Sequence, residues 1–194
     1  MADILDPNPF AKSVLAPVGN DSATDIYVAV GLALDRWEHC EMSFASLYSA
    51  LIGAIDGNYV QMRAFGVITA PTTRYGMIWE ANDARFDHGE HLLRKRGRSL
   101  LNLYKDAASR RNEIAHAMVM GDVLPNGDKP PLPPIWFLVP PRFSTRKIEP
   151  GTTKPKYRYS SREIRHFTAC FEELHSRAAK LATEVSNYVV QQRS

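Results

Sequence analysis

The stretch RRNEIAHAMV, Arg110–Val119, sets an arginine, an asparagine and a histidine close together on a segment whose spacing predicts a helix. Asn112 and His116 are four positions apart, so they share a helix face within side-chain reach. Arg111 lies about 140° around the helix from His116 and borders the same cleft from the core side. A planar guanidinium fits a phosphate as a two-pronged donor. An amide can orient a neighbouring group, and an imidazole exchanges protons near neutrality. The combination suits phosphodiester chemistry. Helix packing alone would be served by leucine and alanine, and the competing explanation is a structural polar network.

The elements around this segment read as helices. Ser22 is the expected N-cap of a helix running to about Ile55, with the seam Val30, Leu34, Trp37, Glu41, Phe44, Tyr48, Leu51 and Ile55. Shorter helices follow over residues 59–68 and 74–87. A long helix over residues 90–120, with a bend allowed at Gly97, has the seam Leu93, Leu100, Leu103, Ala107, Arg111, Ile114 and Met118. Each long seam carries one charge, Glu41 in the first and Arg111 in the second. An unpaired buried charge costs several kcal/mol, so the simplest expectation is that the two face each other or line one cleft.

Eight of the thirteen prolines fall between Pro125 and Pro150, among the short strand-like runs IWFLV and KYRY. Residues 121–159 therefore read as an insertion bearing a β-hairpin or extended loops. Ser160 and Glu163 then have capping-box spacing at the start of a last helix, whose apolar face is Ile164, Phe167, Phe171, Leu174, Ala178, Leu181 and Val185. The expected fold is all-α: an antiparallel bundle of four to five helices with the insertion before the last. Residues 1–194 form one domain in this reading, with 1–21 an irregular arm.

The composition is that of a globular chain, and the core needs no staples. Cys40 and Cys170 stand alone, without a CxxC or a nearby Cys/His pair, which argues against a zinc site and fits a reducing cytoplasm. The longest apolar run, IYVAVGLAL, is too short to cross a bilayer, and MADILDPNPF does not read as a signal peptide. No Gly-rich phosphate loop is present, so neither a cofactor nor a metal is expected. The net charge of +3 is uninformative by itself, but its distribution is uneven. Eight Lys/Arg face two Glu between Arg142 and Arg165, interleaved with Tyr157 and Tyr159, and RKRGR covers Arg94–Arg98. Such clusters are solvated surface or a nucleic-acid contact.

The run RNEIAH, Arg111–His116, resembles the R-x4-H signature of the HEPN-domain superfamily, here on a late helix followed by a final one. The motif spans six residues, and the looser architectural likeness covers residues 22–190. The resemblance implies a metal-independent endoribonuclease whose two motifs meet in the composite cleft of a homodimer. Arg111 would hold the phosphate, Asn112 would position groups, and His116 would move protons during attack of the ribose 2′-hydroxyl. Glu41 is the candidate further residue from the first helix, with Glu38 the fallback. Arg110 also satisfies a longer Arg-to-His gap, so the motif arginine is Arg110 or Arg111. RNA contacts are expected from Arg110, Arg142, Lys154, Lys156 and Arg158. A neutralising protein partner is a further expectation. The alternative is a non-catalytic dimerisation or interaction module in which Glu41, Arg111 and His116 are structural. A helical nucleic-acid-binding regulator is disfavoured by the absence of a helix-turn-helix signal.

Overall fold

The computed structural model describes residues 8–54, 59–123, 132–141, 143 and 154–193. Among them are five helices, α1 (Ala23–Leu51), α2 (Tyr59–Gly66), α3 (Pro71–Arg85), α4 (His91–Ala115) and α5 (Ser161–Gln191). Strands β1 (Met118–Asp122) and β2 (Ile135–Val139) lie between α4 and α5. The fold is thus an all-α bundle with a two-stranded antiparallel hairpin before the last helix. No helix among the described residues is long and apolar enough to cross a membrane.

The helix starts follow local chemistry. Thr24 N–H donates to Ser22 Oγ at 3.1 Å, so Ser22 caps α1 as expected. Pro71 stands at the first turn of α3, where its missing N–H costs nothing. At α5 the capping box closes: Ser160 N–H donates to Glu163 Oε2 at 2.9 Å, and Arg162 N–H donates to Ser160 Oγ at 3.2 Å.

By its contacts the chain divides into two compact units, with the divisions falling inside α1, α4 and α5. One comprises the described parts of Met1–Pro9, Arg36–Ala108 and Cys170–Ser194. Its core holds Trp37 and Phe44 of α1, Phe65 of α2, Ile78 of α3, Leu101 and Tyr104 of α4, and Phe171 and Leu174 of α5. The Trp37 ring stacks on Tyr104 at 5.5 Å and meets Phe171 edge-on. Helices α3 and α4 run antiparallel, through pairs Tyr75–Asn102 and Asp83–Arg94. Gly97 lets Asn82 sit against α4. A Cβ there would fall 2.1 Å from Asn82 Oδ1, and Asn82 Nδ2 donates to Arg94 O at 3.1 Å.

The other unit comprises Phe10–Asp35 and Ser109–Ala169. Its small sheet pairs Met118 with Val139 through Asp122 with Ile135. Single bridges join Leu138 to Tyr159, Leu15 to Arg158 and Asn20 to Trp136. The arm from residue 10 to 21 is therefore tied into this sheet rather than irregular throughout. Gly19 permits its close approach to β2, because a Cβ would meet Trp136 O at 2.6 Å.

The end of α4 and the buried face of α1 differ from the sequence reading, and Ile55 of the expected seam lies outside the described residues. The long helix expected to reach residue 120 stops at Ala115, and the sheet begins three residues later. Val119 and Met120 find ladder partners in Leu138 and Phe137, and that long-range pairing overrides the helical spacing. The buried stripe of α1 is Ile26, Ala29, Ala33, Trp37, Cys40, Phe44, Leu47 and Leu51. It is rotated from the predicted seam because Ala29, Ala33 and Cys40 allow close packing. Glu41 thus stands at its flank.

Asp83 accepts Arg98 Nη2 at 2.5 Å and Arg94 Nε at 3.2 Å. The Arg98 hydrogen bond, opposed by partial burial and aided by Arg94, holds its carboxyl down at about 2. A depressed carboxylate contributes stability that is complete above the unfolded value near 3.9 and is lost as pH falls through the folded value. Asp83→Asn is therefore expected to be less stable than wild type at pH 7. Urea titrations should show the difference shrinking between about pH 4 and pH 2. A difference independent of pH would mean that the carboxylate charge is not what clamps α3 to α4.

Candidate functional site

The cluster around Arg111 and His116 belongs to the unit comprising Phe10–Asp35 and Ser109–Ala169. It lies on the last turn of α4 and the turn that leads into β1. The two neighbouring arginines are separated by their surroundings. Arg110 is buried, at 9% exposure. Its Nη1 donates to Ser13 Oγ at 2.6 Å, and its Nη2 lies 3.3 Å from Glu113 Oε1. Arg111 is half-buried and its Nη1 donates to Asn112 Oδ1 at 3.2 Å.

This reverses the expected seam. Leu100, Leu103, Ala107, Arg110 and Ile114 alternate three and four and are all buried, so Arg110 is the charge on the core side. The same strict alternation was available in the sequence. The predicted seam instead took two successive steps of four and landed on Arg111. The RNA-contact role expected of Arg110 is accordingly corrected: its guanidinium is occupied within the scaffold.

Glu113 is the residue the sequence reading missed. Its Oε1 accepts Ser13 Oγ at 2.9 Å, and its Oε2 accepts the Tyr159 hydroxyl. Its backbone carbonyl accepts the Tyr157 hydroxyl at 3.3 Å. Burial first, and then the Glu113 charge, push both phenols well above the ordinary tyrosine range, so both remain donors. The signal available in the sequence was the i,i+3 pair Arg110–Glu113 beside two tyrosines at alternate strand positions.

His116 is exposed and lies just past the end of α4, where its N–H donates to Asn112 O at 3.2 Å. Its ring makes no hydrogen bond to a described residue, so the imidazole is presented to solvent. A half-buried guanidinium and amide that hold each other, with an accessible imidazole one turn on, can bind an oxyanion and exchange a proton with it.

Glu41 does not pair with Arg111. It lies in the other unit, buried at 8% exposure, where Arg74 Nη1 donates to Oε2 at 2.5 Å and Tyr104 Oη donates to Oε1 at 3.0 Å. The counter-charge comes from α3 because Arg74, set by the first turn after Pro71, also donates Nε to Ile68 O at 2.6 Å. Both carboxylate oxygens are thereby engaged. The fallback, Glu38, is exposed on α1.

The basic residues divide in the same way. Lys154 and Lys156 are exposed. Arg158 lies 4.3 Å above the Phe137 ring and donates Nε to Ala16 O at 3.0 Å, which assigns it to the sheet. Arg142 lies outside the described residues. In the Arg94–Arg98 cluster, Arg94 and Arg98 pair with Asp83, and Arg96 pairs with Glu184 at 2.5 Å. The three arginines of that cluster are bound up in the helix packing, while Lys95 is exposed.

Compared with protein-family models, curated proteins and solved structures, the chain matches none.

Glu41 and Arg74 form a largely buried pair, so truncating one partner leaves the other charge without compensation. Glu41→Ala is expected to lower unfolding free energy by about 3–5 kcal/mol in urea titrations. Glu38→Ala, at an exposed position where solvent screens any contact it makes, should change it by less than about 1 kcal/mol. Equal effects would remove the distinction between these two carboxylates.

Proposed function

We propose that this chain is a HEPN-like, metal-independent endoribonuclease that cleaves RNA through its own 2′-hydroxyl, with Arg111, Asn112 and His116 as the acting residues. The observation that carries the reading is the separation of the paired arginines. Glu113 and Ser13 take up Arg110, which leaves the R-x4-H spacing to Arg111 and an exposed His116. Arg111 holds the scissile phosphate through its fork, and Asn112 orients that fork. His116 accepts the 2′-hydroxyl proton as the oxygen attacks phosphorus. The bond from phosphorus to the 5′ oxygen breaks, and a proton returns to the leaving oxygen. The products are a 2′,3′-cyclic phosphate and a 5′-hydroxyl end. Glu41 has no part in this scheme, since both its oxygens are bound within the scaffold. The exposed Lys154 and Lys156 supply contacts to the RNA backbone, and a homodimer brings two such motifs to one cleft.

A second reading keeps the fold as a non-catalytic dimerisation module. It is favoured by Tyr27, Val28 and Leu32, three apolar residues of α1 that are exposed at 62%, 51% and 48%.

Cleavage of a labelled, structured RNA in EDTA decides between the two. Wild-type protein is expected to cut and leave cyclic phosphate ends, and His116→Ala to be slower by about 10²–10⁴-fold. Arg111→Ala should lose comparable activity while staying folded. Lys156→Ala should weaken RNA binding and reduce its salt dependence by about one phosphate contact. A folded dimer that leaves the RNA intact would favour the interaction module.

A further inference from the structure

The last carbonyls of a helix have no intrahelical donors, and the chain leaving them is held only by whatever caps them. At the end of α4, Asn112 O is capped by His116 N–H at 3.2 Å. The next carbonyl, Glu113 O, is capped by a side chain from the segment before α5, the Tyr157 hydroxyl at 3.3 Å. The Glu113 carboxylate is fixed as well, by Ser13 of the arm at 2.9 Å, by Arg110 at 3.3 Å and by Tyr159. One residue is therefore pinned through backbone and side chain by three separate segments. It lies between Asn112 and His116.

We infer that Tyr157 is a positioning residue for His116, fixing the final turn of α4 through the Glu113 carbonyl, while the Glu113 carboxylate anchors the same turn to Ser13, Arg110 and Tyr159. This assignment rests on the R-x4-H reading for its chemical meaning. Its geometry can be tested without any reaction. Tyr157 is almost fully buried and its ring stacks on Tyr159 at 5.2 Å, so replacing it by phenylalanine removes the hydroxyl and leaves the packing in place. A single neutral hydrogen bond is worth about 1 kcal/mol, equivalent to about five-fold in an opening equilibrium.

The experiment is amide hydrogen exchange of His116 and the NMR shifts of its ring in wild type, Tyr157→Phe and Tyr104→Phe, with RNA cleavage measured on the same samples. Tyr104→Phe is the structural control, because it removes a buried hydroxyl from Glu41 in the other unit. Tyr157→Phe is expected to speed exchange of the His116 amide about five-fold and to move its ring signals. Its kcat should fall with KM unchanged. Tyr104→Phe should lower Tm and leave the His116 signals where they were. Ser13→Ala, which removes a donor to the carboxylate at the other side, should move His116 in the same direction as Tyr157→Phe. If His116 exchange and ring signals in both Tyr157→Phe and Ser13→Ala equal those of wild type, the positioning role is wrong. If wild type cuts no RNA while the His116 signals move as stated, the ribonuclease reading fails and the positioning of the turn stands.

Discussion

A carboxylate buried at the end of a helix must be answered by donors, and Glu113 obtains them from three places. Arg110 comes from its own helix, Ser13 from the arm, and Tyr159 from the segment leading into α5. Leaving such a charge without these partners would cost several kcal/mol, so the arm and the segment before α5 are held at the end of α4. The result is local order in the arm, which the sequence reading expected to be irregular, and at KYRY, which it read as strand-like. The arm gains bridges at Leu15 and Asn20, and Tyr159 gains one to Leu138. The last turn of α4 is held from several directions, in a region that is otherwise loop and short strand.

The same constraint explains why two arginines of one type, side by side, have different chemistry. Neighbours on a helix point about 100° apart, so one can face the core while the other stands at its border. Arg110 faces inward and meets a fixed negative charge, which neutralises it and removes it from contact with an anionic ligand. Arg111 stays half-buried beside Asn112. Arg110 is held within the scaffold, and His116 lies at the exposed end of the turn.

Much of the fold was legible in the sequence because helix periodicity and capping are local signals. Ser22, Pro71 and the Ser160–Glu163 box mark three helix starts through bonds spanning only a few residues. What was not legible depends on distant partners. The end of α4 at Ala115 follows from the pairing of Val119 with Leu138, and no rule of local spacing contains Leu138. Glu41 shows the limit more sharply. Its seam position announced a buried charge in need of a partner, but the nearest candidate by pattern was wrong. Arg74 belongs to a helix for which the sequence reading named no seam, and its reach to Glu41 is fixed by a second bond to Ile68 O. The candidate site lies between these cases. Its spacing could be read directly, whereas the roles of Arg110 and Glu113 required the fold.

The division of charges also constrains how an RNA backbone could approach. A cation already matched by a carboxylate attracts phosphate weakly, because binding would have to break the existing pair. Arg94, Arg96 and Arg98 are matched in this way, and Arg158 is committed to Ala16 and to the Phe137 ring. Charge density along the sequence therefore overstates the basic surface. Lys154 and Lys156, on the segment that also supplies Tyr157, are exposed. Tyr157 reaches the turn of His116 through the Glu113 carbonyl. A backbone contact made by these lysines thus has a short, hydrogen-bonded route to the proposed acid–base residue. Binding at the lysines and the geometry of His116 should be coupled through that segment, since any shift of it moves the hydroxyl that caps α4.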